Sequence, residues 1–131
     1  MAKILVVDDE PMLTEAYCTI LEHAGHQTKP AYDGEQALEI AKQFKPDVIL
    51  LDLLMPKKDG IGFLKEFQLA KKHPKVKVIV FSNLDMQREI EQAYSLGAVR
   101  YILKAWATPK ALTQIVADTL KNDASAAKAS A

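Results

Sequence analysis

Residues 48–52, with the sequence VILLD, place four consecutive large apolar residues directly before a carboxylate. A near-continuous apolar run of this kind is typical of a strand buried on both faces of a parallel sheet, whereas a half-exposed strand alternates. Three similar runs lie at residues 4–7, 76–81 and 99–103, and a weaker candidate lies at residues 27–31. The sequence therefore predicts five strands.

Helical patterns fill the gaps between these strands and follow the last one, because apolar residues recur there at helical spacing. Their boundaries are indicated by start and stop residues, namely Pro11, Gly25, Asp33, Pro46, Pro74, Gly97 and Thr108. Strands that alternate with helices form right-handed βαβ units around a parallel sheet. We predict an α/β fold, a flavodoxin-like doubly wound five-stranded parallel sheet of order 2-1-3-4-5 with five helices.

The length and composition favour one intracellular domain. The chain has 131 residues, 49% of them hydrophobic, and its 17 basic and 17 acidic residues cancel. We expect a domain over residues 1–122 and a disordered tail over residues 123–131, which lack large apolar side chains. A neutral balance predicts no direct nucleic-acid or membrane binding. One cysteine, no signal peptide and no apolar span predict a cytoplasmic protein.

Polar side chains follow four of the predicted strands. Asp8 and Asp9 follow the first, Asp52 ends the third, Ser82 follows the fourth and Lys104 closes the fifth. In this fold the carboxyl ends of these strands are neighbours, so the side chains should share one crevice. Three close carboxylates require a cation, for which Mg²⁺ is suited. A carboxylate beside such an ion can accept a phosphoryl group.

Each of these residues also has an ordinary interpretation. An aspartate at position 8, 9 or 52 can cap a helix or a loop, Lys104 can be a solvated surface lysine, and Ser82 can be a helix cap. Their common location at four strand ends favours a phosphoryl-accepting site.

Two segments and three single residues resemble the receiver domain of two-component response regulators. Residues 3–10, KILVVDDE, are similar to the acidic opening of that family, and residues 52–60, DLLMPKKDG, to its phospho-acceptor segment. Ser82, Tyr101 and Lys104 match its hydroxyl, aromatic and lysine positions. The resemblance extends from about Lys3 to Asn122.

The resemblance implies a role for each matching residue. Asp52 would accept a phosphoryl group from the phosphohistidine of a sensor histidine kinase or from a phosphotransfer protein. Ser82 and Lys104 would hold that group. Mg²⁺ would be bound by Asp9 directly, by Asp8 directly or through water, by Asp52 and by the backbone carbonyl of Leu54.

The resemblance also implies a switch and an output. Movement of Ser82 and inward rotation of Tyr101 would change the face formed by the fourth helix, the fifth strand and the fifth helix, where a downstream protein would bind. The chain would catalyse its own phosphorylation and dephosphorylation but act mainly as a signalling switch, as a monomer or weak dimer.

Four positions depart from the family pattern. Ala105 replaces the usual proline after the lysine, so we expect a trans peptide bond or a strained loop there. Asn83 replaces a small residue and is predicted to narrow access to the phosphoryl group. Leu54 and Leu84 flank the place of the attacking water and, being apolar, predict a long-lived phosphoryl state.

Three other functions were weighed against this one. A phosphorylation-independent interaction module is opposed by Asp52 and Lys104 but favoured by Ala105. A flavodoxin-type cofactor binder would need a phosphate-binding loop after the first strand, where residues 8–11 are DDEP. A phosphatase with an aspartate nucleophile usually has a second carboxylate where Leu54 stands. Trp106 and the lysines of residues 57–77 could contact a partner, but a solvated face is the simpler interpretation of those lysines.

Overall fold

A computed structural model describes residues 2–55, 59–82 and 86–121. Five parallel strands form one sheet in the order β2-β1-β3-β4-β5. The strands are β1 (Lys3–Val7), β2 (Gln27–Ala31), β3 (Val48–Asp52), β4 (Lys77–Ser82) and β5 (Arg100–Leu103). The predicted strands and their order are confirmed, with boundaries shifted by one residue in β1, β4 and β5.

Five helices connect or follow the strands, as predicted. They are α1 (Pro11–His23), α2 (Gly34–Phe44), α3 (Gly60–Phe67), α4 (Gln87–Ser95) and α5 (Pro109–Lys121). One additional helical turn, Leu69–Lys72, follows α3 after Gln68, whose backbone adopts a left-handed conformation with φ 55°. A 3₁₀ turn, Lys104–Trp106, connects β5 to the loop before α5.

The predicted N-cap of α2 is present. The Asp33 carboxylate accepts a hydrogen bond from the Gln36 amide at 2.8 Å, and the Gln36 side chain accepts one from the Tyr32 amide at 3.0 Å. These bonds satisfy backbone donors that have no partner within the helix. The cap fixes where the loop after β2 ends.

The sheet is covered on both faces, which explains the continuous apolar runs. Leu5 and Val7 belong to a core with α2, α3 and α4, whereas Ile4 and Val6 belong to a second core with α1 and α5. Successive side chains of a strand point to opposite faces, so both sets are buried. No helix in the described part of the chain is long and apolar enough to cross a bilayer.

The parallel register places the carboxyl ends of four strands side by side. Val7 is opposite Leu51, Asp52 is opposite Phe81, and Ser82 is opposite Leu103. The residues at and just after these positions therefore meet at one edge of the sheet. The predicted division into a domain over residues 1–122 and a tail over residues 123–131 stays a prediction, because the tail lies outside the described residues.

Candidate functional site

Lys104 connects two of the predicted carboxylates. Its Nζ donates a hydrogen bond to Asp52 Oδ2 at 3.0 Å and lies 3.4 Å from Asp8 Oδ2. Both aspartates are buried, Asp52 being 2% exposed. The Lys104–Ala105 peptide bond is trans, as expected without proline. The 3₁₀ turn that starts at Lys104 thus delivers the ammonium group to the site.

The loop after β1 holds Asp8 through its backbone and one carboxylate oxygen. Asp8 Oδ1 accepts a hydrogen bond from the Glu10 amide at 3.0 Å, and the Thr14 hydroxyl donates to the Asp8 carbonyl at 3.0 Å. Asp8 Oδ2 is buried without a hydrogen-bond partner among the described residues. This oxygen, which contacts only the Lys104 ammonium at 3.4 Å among the described polar groups, lies beside the other carboxylates of the site.

The carboxylates of Asp8, Asp9 and Asp52 each offer an oxygen within 4.8 Å of the others. With Lys104 adjacent, three ionised carboxylates and one ammonium leave two net negative charges. Oxygen ligands of this kind suit a hard divalent cation, and Mg²⁺ binds in proteins through one or a few carboxylates. The residues present therefore fit Mg²⁺, and Asp8 Oδ2, which has an ion-pair contact to Lys104 but accepts no hydrogen bond from the described residues, is an acceptor that such an ion would use.

Burial and mutual repulsion change the acidity of the site. Burial, together with the charge of Asp8, raises the pKa of Asp52 to about 6, although the hydrogen bond from Lys104 lowers it. Burial also raises the pKa of Asp8. Burial acts to lower the pKa of Lys104, but its hydrogen bond to Asp52 and the charges of both aspartates outweigh burial and raise it. A strongly perturbed buried carboxylate with a specific cationic partner is typical of a functional site.

Ser82 lies at the end of β4, where the sequence placed it. Its side chain is buried, and its hydroxyl has no hydrogen-bond partner among the described residues. Burying a hydroxyl without a hydrogen-bond partner costs folding free energy, unless a ligand or an ion provides that partner. This is a second unused polar group at the same edge of the sheet.

The Leu54 backbone folds back onto Asp52. Its amide donates a hydrogen bond to Asp52 Oδ1 at 3.1 Å, and its side chain is exposed. The predicted ligation through the Leu54 carbonyl stays a prediction.

Tyr101 does not lie in the crevice. Its side chain is 45% exposed and packs against Tyr94 of α4. The Trp106 side chain is also outside the site and 68% exposed, and its predicted contact with a partner stays a prediction. Residues Asn83 and Leu84, and the Pro56–Lys58 part of the phospho-acceptor segment, lie outside the described residues.

Two contributors to the site were not predicted. Thr14 is fully buried on α1 and anchors the Asp8 backbone, yet it reads as one more residue of an amphipathic helix. Gly60 packs against the end of β3, since an added Cβ would lie 2.7 Å from the Asp52 carbonyl oxygen. The Asp59-Gly60 pair was a visible signal: Asp59 caps α3 through the Gly62 amide at 2.7 Å.

Comparison with known proteins points to one family. Residues 4–117 match the family described as "Response regulator receiver domain". The chain is 35% identical to Protein CcdB of Bacillus subtilis over 88% of this chain and 95% of the relative. It is 33% identical to the chemotaxis protein CheY of Thermotoga maritima over 78% and 84% of the two chains.

Other relatives are longer. The chain is 30% identical to the transcriptional regulator RpaA of Synechocystis but spans only 51% of its length. The receiver domain of the Francisella response regulator 1452 superposes with a TM-score of 0.80 at 31% identity, over 93% of this chain and 98% of that one. The chain therefore belongs to the response regulator receiver domain family.

Proposed function

We propose that Asp52 accepts a phosphoryl group, with Mg²⁺ bound beside it, from a phosphohistidine of a sensor histidine kinase or phosphotransfer protein. The observation that carries this proposal is the pairing of buried Asp52 with Lys104 at 3.0 Å, next to Asp8 and Asp9. This arrangement combines a potential nucleophile with a fixed cation. A phosphorylation-independent module would have no use for this buried charge.

The proposed transfer needs only groups that the chain supplies. A carboxylate oxygen of Asp52 attacks phosphorus, the phosphorus–nitrogen bond of the phosphohistidine breaks, and the imidazole leaves and takes up a proton. Lys104 then pairs with the oxygens of the new acyl phosphate. Such transfers depend mainly on positioning and on charge stabilisation.

Asp8, Asp9, Asp52 and the Leu54 carbonyl would hold Mg²⁺, whose positive charge would offset both the carboxylates and the incoming phosphoryl group. Asp8 would contribute its buried Oδ2, which accepts no hydrogen bond from the described residues, and Asp9 would contribute an exposed carboxylate. The Ser82 hydroxyl donates a hydrogen bond to the phosphoryl group. The hydroxyl thereby gains the partner that it lacks among the described residues.

The proposed consequence is a population shift at the α4–β5–α5 face. Closure of Ser82 onto the phosphoryl group makes room on the sheet face that β4 and β5 share, and Tyr101 rotates inward. A downstream protein then binds the changed face. We place this cycle in the cytoplasm, with the chain acting as a switch that catalyses its own phosphorylation and dephosphorylation.

Intact-protein mass spectrometry after incubation with acetyl phosphate and Mg²⁺ tests the proposal. We expect a gain of one phosphoryl group in the wild type, no gain when a chelator removes Mg²⁺, and no gain in Asp52→Ala. Acetyl phosphate replaces the kinase as phosphoryl donor. Its phosphorus–oxygen bond breaks during the transfer, and acetate is the leaving group. A wild-type chain that stays unmodified with this donor and with a phosphorylated histidine kinase domain would rule the proposal out.

A further inference from the structure

The exposed ring of Tyr101 rests against one neighbour on α4. Tyr101 lies in β5, which is at the edge of the sheet and pairs with β4 alone. Tyr94, in the last turn of α4, meets it edge to face, with ring centroids 6.3 Å apart and ring planes at 88°. This geometry is among the preferred arrangements of aromatic pairs. The outward position of Tyr101 therefore has a specific partner.

Tyr101 and Arg100 both influence the acidity of Tyr94. Burial and the neighbouring Tyr101 phenol raise the pKa of Tyr94, whereas the charge of Arg100 and an interaction with the Tyr101 backbone N–H lower it. The Tyr94 phenol thus lies close to Tyr101 and Arg100 of β5, and its ring contact with Tyr101 is the observed interaction.

Tyr101 and Ser82 lie on the same face of the sheet. Tyr101 is opposite Val80 in the β4–β5 ladder, and Leu103 is opposite Ser82. Residues two apart on a strand point to the same side, so Tyr101 is one step along this face from the buried Ser82 hydroxyl. An inward rotation of Tyr101 would bring the ring toward Ser82 and break its contact with Tyr94.

We propose that Tyr94 is a positioning residue that holds Tyr101 outward and thereby opposes the switched state of the α4–β5–α5 face. The inference rests on the proposed function, because it concerns the equilibrium that phosphorylation of Asp52 would shift. An interaction made only in the resting state lowers the population of the switched state. Any ligand that prefers the switched state then binds more weakly in proportion to that population.

The test uses beryllium fluoride with Mg²⁺ as a reversible stand-in for the phosphoryl group on Asp52. Its affinity is measured by calorimetry in the full chain, with the fluorescence of Trp106, the one tryptophan, as a second signal. Tyr94→Leu keeps an apolar side chain but removes the aromatic edge and the hydroxyl. We expect it to bind beryllium fluoride roughly two- to tenfold more tightly than the wild type, the range that corresponds to one aromatic pair.

Three comparisons make this result specific. Tyr94→Phe, which keeps the ring that contacts Tyr101, should bind beryllium fluoride about as tightly as the wild type. Glu91→Ala, an exposed position on the same helix, should match the wild type. A purely structural role for Tyr94 would leave the affinity unchanged or weaken it, so a gain in affinity separates the two explanations.

The role of Tyr94 and the proposed phosphorylation of Asp52 can be refuted separately. Equal or weaker binding by Tyr94→Leu, in a protein whose wild type binds beryllium fluoride and gains a phosphoryl group, overturns the role of Tyr94 alone. A wild type that takes up neither overturns the proposed function, and the role of Tyr94 with it. Tighter binding by Glu91→Ala to the same extent would also refute the specific role of Tyr94.

Discussion

Lys104 controls the protonation of Asp52 through one hydrogen bond and one charge. Both lower the pKa of Asp52, which burial and Asp8 otherwise raise. In Lys104→Ala we expect the pKa of Asp52 to rise above its value of about 6, because burial and Asp8 still raise it and only the Leu54 amide still lowers it. Carbon-13 NMR titration of the carboxyl group without Mg²⁺ measures it. Lys110→Ala, at an exposed position on α5, is the control, and an unchanged or lower pKa in Lys104→Ala would contradict the assignment.

The pKa of Asp52 also predicts how stability depends on pH. It is raised from 3.8 to about 6, so the unfolded chain ionises first as pH rises. The folded state therefore loses stability between about pH 4 and pH 6, and the loss remains above that window.

Asp52→Asn removes this charge and should be more stable than the wild type at pH 8. A pKa shift of this size corresponds to a difference of about 1–3 kcal/mol between the two proteins in the free energy of unfolding. This difference becomes smaller as the pH falls toward 4. Lys104 keeps Asp8 as a partner in the variant. Urea unfolding in Mg²⁺-free buffer at both pH values gives the comparison. A variant no more stable than the wild type at pH 8 would show that burial of the ionised Asp52 carboxylate does not lower the free energy of unfolding.

Substitution of Asp9 tests metal binding with little effect on folding, because the Asp9 side chain is exposed whereas Asp8 and Asp52 are buried. We expect Mg²⁺ to stabilise the wild type by about 1.4 kcal/mol at ten times its dissociation constant. In Asp9→Asn the stabilisation should be lost at the same Mg²⁺ concentration while the metal-free melting temperature stays near that of the wild type. Thermal unfolding with and without Mg²⁺ decides this, and equal stabilisation of both proteins would exclude Asp9 as a ligand.

At the scale of elements, Gly60 fixes the approach of α3 to the end of β3. A Cβ at this position would lie 2.7 Å from the Asp52 carbonyl oxygen and 2.8 Å from Leu53 Cα, and backbone atoms cannot yield easily. Gly60→Ala should therefore destabilise the fold by about 1–3 kcal/mol and displace the backbone of Asp52. Chemical denaturation measures the first effect and acetyl phosphate labelling the second. Asp59→Asn, which keeps the helix cap, should show neither, and a fully active Gly60→Ala would refute the packing argument.

The elements themselves could be predicted wherever one physical signal dominated. Buried parallel strands leave continuous apolar runs, and Asp33 with Gln36 leaves a capping pattern, so β3 and α2 were placed correctly. The turn Leu69–Lys72 was not predicted. It depends on a left-handed backbone at Gln68, where no glycine or asparagine marks the break.

At the scale of the whole molecule, the site followed from topology. Parallel strands present their carboxyl ends at one edge, so the order 2-1-3-4-5 brings Asp8, Asp52 and Lys104 together although they are far apart in sequence. The lack of a hydrogen-bond partner for Ser82 within residues 2–55, 59–82 and 86–121, and the outward ring of Tyr101, were not predictable. Both depend on side-chain packing between elements, which a one-dimensional pattern does not encode.

The relatives differ in how much of their length the receiver domain occupies. The chain spans most of Protein CcdB but about half of RpaA, so receiver domains of this family occur both nearly alone and within longer regulators. We propose that this chain acts on a separate downstream protein through the α4–β5–α5 face.

The central claim is that Asp52 carries the phosphoryl group. After labelling with acetyl phosphate and Mg²⁺, borohydride reduction converts an aspartyl phosphate to homoserine, and peptide mass spectrometry locates it. We predict homoserine at position 52. Its yield should depend on Mg²⁺ during labelling and should be much lower in Lys104→Ala than in the wild type. Homoserine at position 8 or 9, or label that resists reduction, would contradict the account.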